Sequence, residues 1–410
     1  MTRSYPNPNR TTRRVPRLIL SLAAALLASS CATQTSDTTP TPLPAMRPDF
    51  SSIETTLKAA IKDRAFPGCA VAVGTERGIL WRDAFGYQTY EGKRPVTTDT
   101  IYDLASLSKV TGTTALLMKL AADGKLHETD PLSKFIPEFI AAATTDEERT
   151  RRESVTLEHV MTHSSGLASW KAFYKTCDTY PKLLKAIVNT PMEAAPGERY
   201  KYSDLGFILL GEVAARAGGK SAPRLEQELI FKPLGMRDTM RNPPSRMKLR
   251  IAPTEKDPAG KGFLHGVVHD ENCRFAGGVT GHAGLFSTVG DLSRYAGELL
   301  NARDGKGRVF TRDVVTEFTR RQGMTGSNRG QGWQKPSGEN SAGAIFSRTS
   351  FGHTGYTGTS IWIDPERKLF VILLTNRVHP TRKNSRISAV RRTVADAAAK
   401  AFDAWRAPHS

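Results

Sequence analysis

Three observations predict an α/β fold. Strand patterns stand early in the chain, at Gly68–Gly74 and Gly78–Gly86. They return late, at Thr359–Ile363 and Leu369–Thr375, around a turn at Asp364-Pro-Glu-Arg367. Helical periodicity dominates between them, from 108 to about 240. Strands at both ends with helices in the middle imply one α/β domain interrupted by a helical insertion.

The chain opens with Arg3, Arg10, Arg13, Arg14 and Arg17 and no acid, then the apolar stretch Leu18–Leu27 and Ala28-Ser-Ser-Cys31. This reads as a secretory signal over 1–30, too short to span a bilayer as a mature helix. Cys31 after small residues fits a bacterial lipobox and predicts a lipidated cysteine. Ala28 stands where a larger aliphatic residue is usual, and ordinary cleavage near the same point is the alternative. A twin-arginine route through Arg13-Arg14 is opposed by Pro16. Residues 31–50, rich in Thr and Pro, read as a tether.

The folded part then spans 51–406. Ser51–Asp63 reads as a capped helix with apolar residues at 53, 57, 60 and 61. The two early strands pair. Helices follow at 110–123, 156–163, 181–189, 204–217 and 222–230, while 240–285 is poor in regular pattern. Asp291–Asn301 reads as a helix, the late strands as a hairpin, and Ser388–Trp405 as a closing helix with Ser388 as its cap. No internal repeat is evident.

The formal net charge is +18, and removal of 1–30 leaves the chain basic. An exported chain does not meet nucleic acid, so anionic envelope polymers or lipid head groups are the expected company. Much of the charge lies late, at Arg377, Arg382, Lys383, Arg386, Arg391 and Arg392, and fits a solvated helix face. Cys69, Cys177 and Cys273 cannot all pair, and Cys69 in an apolar run reads as a buried thiol. His159, His163, His265, His269 and His282 have no metal-site spacing. No metal or cofactor is expected.

Chemistry points first to Ser106 and Lys109 in Asp103-Leu-Ala-Ser-Leu-Ser-Lys-Val110. Residues at i and i+3 of a helix share a face, so the amine can reach the hydroxyl. A serine hydroxyl needs such a partner to become a nucleophile. Free N–H groups in the first helical turn favour a developing oxyanion. The alternative is an N-cap serine with a solvated lysine one turn on. A second match, Ser245-Arg-Met-Lys248, follows Asn242-Pro243-Pro244 and reads as a chance occurrence in a loop.

Two further segments stand in a telling order: Tyr202-Ser203-Asp204, opening a helical run, and His353-Thr354-Gly355. The sequence Ser-x-x-Lys, Tyr-x-Asp, His-Thr-Gly resembles the penicillin-recognising serine hydrolases: class C β-lactamases, D-Ala-D-Ala carboxypeptidases and related esterases. Val155–Leu167 and Gly277–Asp291 resemble further segments of that family. His265–Asn272 and 353–377 look most like a lipoprotein subgroup associated with cell-wall recycling. The resemblance implies a β-lactamase/DD-peptidase-like fold, an antiparallel sheet flanked by helices. Its α/β part would be about 51–105 and 285–406, and its helical inserted subdomain about 106–284.

The resemblance also implies roles. Ser106 is the nucleophile, activated by Lys109 and Tyr202. The N–H groups of Ser106 and Tyr356 form the oxyanion hole. Thr354 and Gly355 lie at the substrate, with Thr354 on its carboxylate, and His353 supplies positive charge. Asp204 stands where many relatives have Asn; a carboxylate cannot donate to a substrate carbonyl. It is expected to pair with Lys109, raising the lysine's pKa and favouring Tyr202 as the base. The expected activity is a D-Ala-D-Ala carboxypeptidase or amidase on cell-wall peptides, outside the cytoplasm. A carboxylesterase or β-lactamase on the same scaffold, and a non-catalytic wall-binding lipoprotein, are the alternatives. No Gly-x-Ser-x-Gly elbow exists to serve an α/β-hydrolase.

Overall fold

The computed structural model describes residues 47–338 and 340–407; the signal, Cys31 and most of the Thr/Pro-rich tether lie outside the described residues. The strands are β1 (Gly68–Thr75), β2 (Gly78–Gly86), β3 (Tyr102–Asp103), β4 (Met240–Arg241), β5 (Leu285–Ser287), β6 (Phe351–Thr354), β7 (Ser360–Asp364) and β8 (Leu369–Thr375). Five of them form an antiparallel sheet in the order β2-β1-β8-β7-β6. The early and late hairpins therefore meet through β1 and β8, with Val71 opposite Leu373 and Ala72 opposite Ile372.

Both central strands are buried throughout, which requires cover on both faces. Side chains alternate across a strand, so the two faces are read from its odd and even positions. Val71, Val73, Val371 and Leu373 face the terminal helices Ser51–Lys62 and Ile387–Arg406, against Ile53, Leu57, Val394 and Phe402. Ala70, Ala72, Ile372 and Leu374 face the other way, into a core that includes Leu292, Tyr295 and Leu299 of the helix Val289–Arg303. That core continues into the helices between β3 and β5, notably Asp204–Gly218.

Several expectations are corrected. Ser388 does not cap the last helix; Arg386 holds the N-cap position, in helical conformation and without a side-chain cap bond. Ser51 is the first helical residue, and Asp49 Oδ1 accepts its N–H at 2.9 Å. Ser245 and Lys248 are exposed in a short 3-10 helix, Ser245–Arg250, rather than a loop. The helices Asp146–Glu153 and Arg312–Thr319 and the small sheet β3-β5-β4 were not anticipated. Asp146–Glu153 lacks an apolar stripe: its inward residue is Arg152, donating to Phe139 O at 2.8 Å and Val188 O at 2.7 Å.

Candidate active site

The segment carrying Ser106 is held from three sides. β3 pairs with β5, and Leu104 N–H donates to Leu285 O at 2.9 Å. From the turn between β6 and β7, Thr357 Oγ1 donates to Asp103 O at 2.7 Å and Thr359 Oγ1 to Leu104 O at 2.9 Å. Gly355 makes that approach possible, since a Cβ there would fall 2.2 Å from Leu104 O. The buried Asp103 carboxylate accepts Ala105 N–H at 2.9 Å and His269 N–H at 2.7 Å. These bonds hold Ala105 at a φ of 47°, a strained conformation for a residue with a Cβ.

Lys109 begins the π turn Lys109–Thr113, which runs into the helix Thr114–Ala122. Its side chain is fully buried, and its Nζ donates to Ser106 Oγ at 3.0 Å and to His282 O at 3.0 Å. Asp204 Oδ1 lies 2.6 Å from Nζ, an ion-pair contact in which that oxygen accepts no aligned hydrogen bond. Burial pushes the Lys109 pKa down, but Asp204 and Tyr202 outweigh it, so the amine is held above its usual range. Lys109 is thus an ammonium with no lone pair to offer. The His282 carbonyl reaches it because Gly281 packs against the helix Asp204–Gly218; a Cβ at 281 would fall 1.9 Å from Phe207 O.

Tyr202 precedes that helix, whose N-cap Ser203 accepts Gly206 N–H at 3.0 Å. Lys109 Nζ lies 5.1 Å from the Tyr202 ring centroid, and the Arg329 guanidinium 5.2 Å from it. The His353 ring is 6.2 Å from the same ring. The Ser106, Tyr202 and His353 regions therefore meet, as the sequence reading required. Among the described residues, neither the Ser106 nor the Tyr356 backbone N–H has a protein acceptor.

Ser106, Tyr202 and Tyr356 line two clefts. One, of about 380 Å³, is also lined by His353, Thr354, Gly355, Arg329, Arg377 and Arg391. The other, of about 390 Å³, has Trp170, Asp204, Asp270 and Glu271 in its wall. The carboxylates of this second cleft are largely paired: Asp270 with His282 at 2.9 Å and Glu271 with Arg382 at 2.7 Å.

The charge expected of His353 is corrected. Its ring is buried, and Nδ1 lies 2.8 Å from Thr354 O. A carbonyl only accepts, so the proton sits on Nδ1. Burial first, then Arg329 and Lys109, hold the imidazole well below its usual range and hence neutral. The positive charge of the cleft belongs to arginines. Arg391 Nη2 donates to Gly355 O and Thr359 O, both at 2.8 Å, while its buried Nε has no protein partner. Arg329 Nη1 is buried and equally unpaired. The sequence reading missed Arg329, and it placed Arg377 and Arg391 on a solvated face.

The "Beta-lactamase" family model matches residues 53–395. The chain belongs to this family. An Escherichia coli (strain K12) protein named "Putative D-alanyl-D-alanine carboxypeptidase" is 32% identical over 349 residues, covering 77% of this chain and 80% of the relative. A Salmonella typhi protein of the same name is 30% identical over 361 residues, covering 80% and 82%. Among solved structures, EstCE1, "a hydrolase with promiscuous acyltransferase activity", superposes with a TM-score of 0.69 at 19% identity, covering 85% of this chain and 98% of that one. A penicillin-binding protein homolog from Caulobacter crescentus gives 0.69 at 18%, covering 87% and 98%. The fold is the β-lactamase/penicillin-binding-protein α/β fold, and the protein is a serine hydrolase of the β-lactamase, DD-peptidase and esterase type.

Proposed function

We propose that this hydrolase is a carboxypeptidase or amidase for D-amino-acid wall peptides ending in a free carboxylate. One observation carries the reading: Ser106 opens on a cleft whose charged lining side chains are Arg329, Arg377 and Arg391, with no carboxylate among them. The names of the 30–32% identical relatives support it.

In this mechanism Ser106 Oγ attacks the scissile carbonyl carbon. The Oγ–C bond forms, the C–N bond breaks, and water later releases the acyl group. Lys109 is protonated and cannot take the serine proton. Tyr202 relays it, accepting on its phenol oxygen as its own proton passes to the leaving nitrogen. The N–H groups of Ser106 and Tyr356 receive the oxyanion; losing one such donor costs about 2.7–4 kcal/mol of barrier. Thr354 and the arginines receive the carboxylate, beside Gly355 and the neutral His353.

Asp204 favours a second reading, a carboxylesterase. Its carboxylate is committed to Lys109 and has no N–H to offer an amide substrate's carbonyl. Turnover of D-Ala-D-Ala peptides, short-chain esters and a chromogenic cephalosporin by the purified protein separates the readings. Covalent labelling by a fluorescent penicillin or a fluorophosphonate, lost in Ser106→Ala, tests the nucleophile. Labelling that survives that substitution refutes the mechanism.

From the sequence we also propose export through the signal over 1–30 and anchoring at Cys31 by lipid, with 31–50 as tether. Palmitate incorporation that persists in Cys31→Ala refutes the anchor.

A further inference from the structure

We propose that His163 is a positioning residue that sets the Tyr202 phenol against Ser106. The inference rests on the catalytic reading of Tyr202. His163 follows the helix Leu157–Met161, is 1% exposed, and contacts Tyr202 and both of its chain neighbours. Its carbonyl accepts Lys201 N–H at 2.8 Å, and its Nδ1 accepts Ser203 N–H at 3.0 Å. Those are the two residues flanking Tyr202, so one histidine pins the backbone on both sides of the phenol. Its ring then lies 4.3 Å from the Tyr202 ring at 34°, and 5.1 Å from Phe207. His163 thus fixes the backbone on both sides of Tyr202 and covers one face of its ring, beside Lys109 and Arg329.

The backbone of His163 records what this arrangement demands. Its φ is 59°, a left-handed conformation that is strained for a residue with a Cβ and persists only where surrounding contacts hold it. That conformation turns both the carbonyl and Nδ1 toward the 201–203 segment while the ring covers Tyr202. For Nδ1 to accept, the imidazole must be neutral with its proton on Nε2. Burial first, then Arg329 and Lys109, keep the ring neutral, and its buried Nε2 has no protein partner among the described residues. No step of the mechanism otherwise uses this ring.

His163→Asn is the informative variant. Asparagine tolerates a left-handed φ, and its Oδ1 can accept Ser203 N–H, but it has no ring to lay on the phenol. The full-length protein should melt at a lower temperature, because the vacated ring space is not refilled, yet stay folded at about 25 °C with its KM within about twofold. Its rate of phosphonylation by a fluorophosphonate, in which the Ser106 Oγ–P bond forms and fluoride leaves, should fall about 10–100-fold, the scale of a small misplacement of a reacting group. In a Tyr202→Phe background the same substitution should change the rate less than twofold, because it acts through the phenol. Equal fold-losses in both backgrounds, or His163→Asn at full rate, overturn the proposal. If His163→Asn prevents folding, His163→Phe, which keeps the ring and loses the acceptor, is read in the same two backgrounds. If the wild type is not labelled at all, the catalytic reading fails instead. The positioning claim is then read from ¹³Cζ-tyrosine spectra, where the Tyr202 resonance should move in His163→Asn; an unmoved resonance overturns it.

Discussion

Replacing Asp204 by Asn tests the electrostatic centre of the site. In the wild type the Lys109 ammonium is buried and offset by a carboxylate 2.6 Å away. The amide keeps the shape and removes the charge. Burial, already the largest influence on Lys109, then goes unopposed by the carboxylate, and the lysine is expected to fold neutral. The unfolded lysine has a pKa near 10.4, so releasing its proton costs about 4–5 kcal/mol at pH 7 and about 2 kcal/mol at pH 9. The unfolded variant binds one more proton than the folded variant, so its stability rises with pH. In the wild type Lys109 is charged in both states and contributes no slope. Urea unfolding of both proteins at pH 7, 8 and 9 should therefore show a destabilisation that shrinks by about 1.4 kcal/mol per pH unit. A loss that is constant across that range would mean the buried ammonium survives without its partner. A loss below about 1 kcal/mol at pH 7 would mean the pair carries no weight, against the usual cost of about 3–5 kcal/mol for breaking a buried pair. Either result refutes the argument.

Other expectations follow from the same site. His163 and His353 are both held neutral below their ordinary range, so the unfolded chain takes up protons first as pH falls through about 6.5; stability should drop by about 1.4 kcal/mol per histidine between pH 7.5 and 5.5, measured by urea unfolding. Carboxylate-substrate turnover should show no His353 titration between about pH 6 and 8, because the ring is already neutral there. Arg329→Met should raise KM for substrates with a free carboxylate about tenfold or more, the worth of a charged hydrogen bond of about 1.5–3 kcal/mol, and raise KM for neutral esters much less, even though it also removes the cation beside the Tyr202 ring. Gly355→Ala should destabilise by about 1–3 kcal/mol and slow acylation, since its Cβ meets the Leu104 carbonyl and displaces the neighbouring Tyr356 N–H.

Much of this architecture was legible from apolar patterning. β1 and β8 are short, nearly unbroken apolar runs bounded by glycines or a turn, and such runs mark strands covered on both faces. The helix Asp204–Gly218 and the Val289–Arg303 helix likewise carry apolar runs in their sequence. The two-residue strands β3 and β4 are too short to carry a period, yet β3 pins the segment before Ser106. Asp146–Glu153 was invisible because its inward residue is an arginine, not an aliphatic side chain.

At the site, spacing marked Ser106 and Lys109, because Ser-x-x-Lys brings hydroxyl and amine together within one helical turn, while Tyr202 and the His-Thr-Gly segment were marked by the resemblance to the penicillin-recognising serine hydrolases. Protonation and field were decided only in three dimensions. A histidine reads as a cation in a string of letters, but burial beside Arg329 and Lys109 makes His353 neutral. Arg391 belongs to the last helix, and only the antiparallel sheet, with β6 at its edge, brings its guanidinium to Gly355. The carbonyl of His282 at Lys109 carries no signature, since every residue has one; the close packing at Gly281 sets where it points. Local chemistry is written in side chains, whereas charge states depend on which distant groups share their desolvated surroundings.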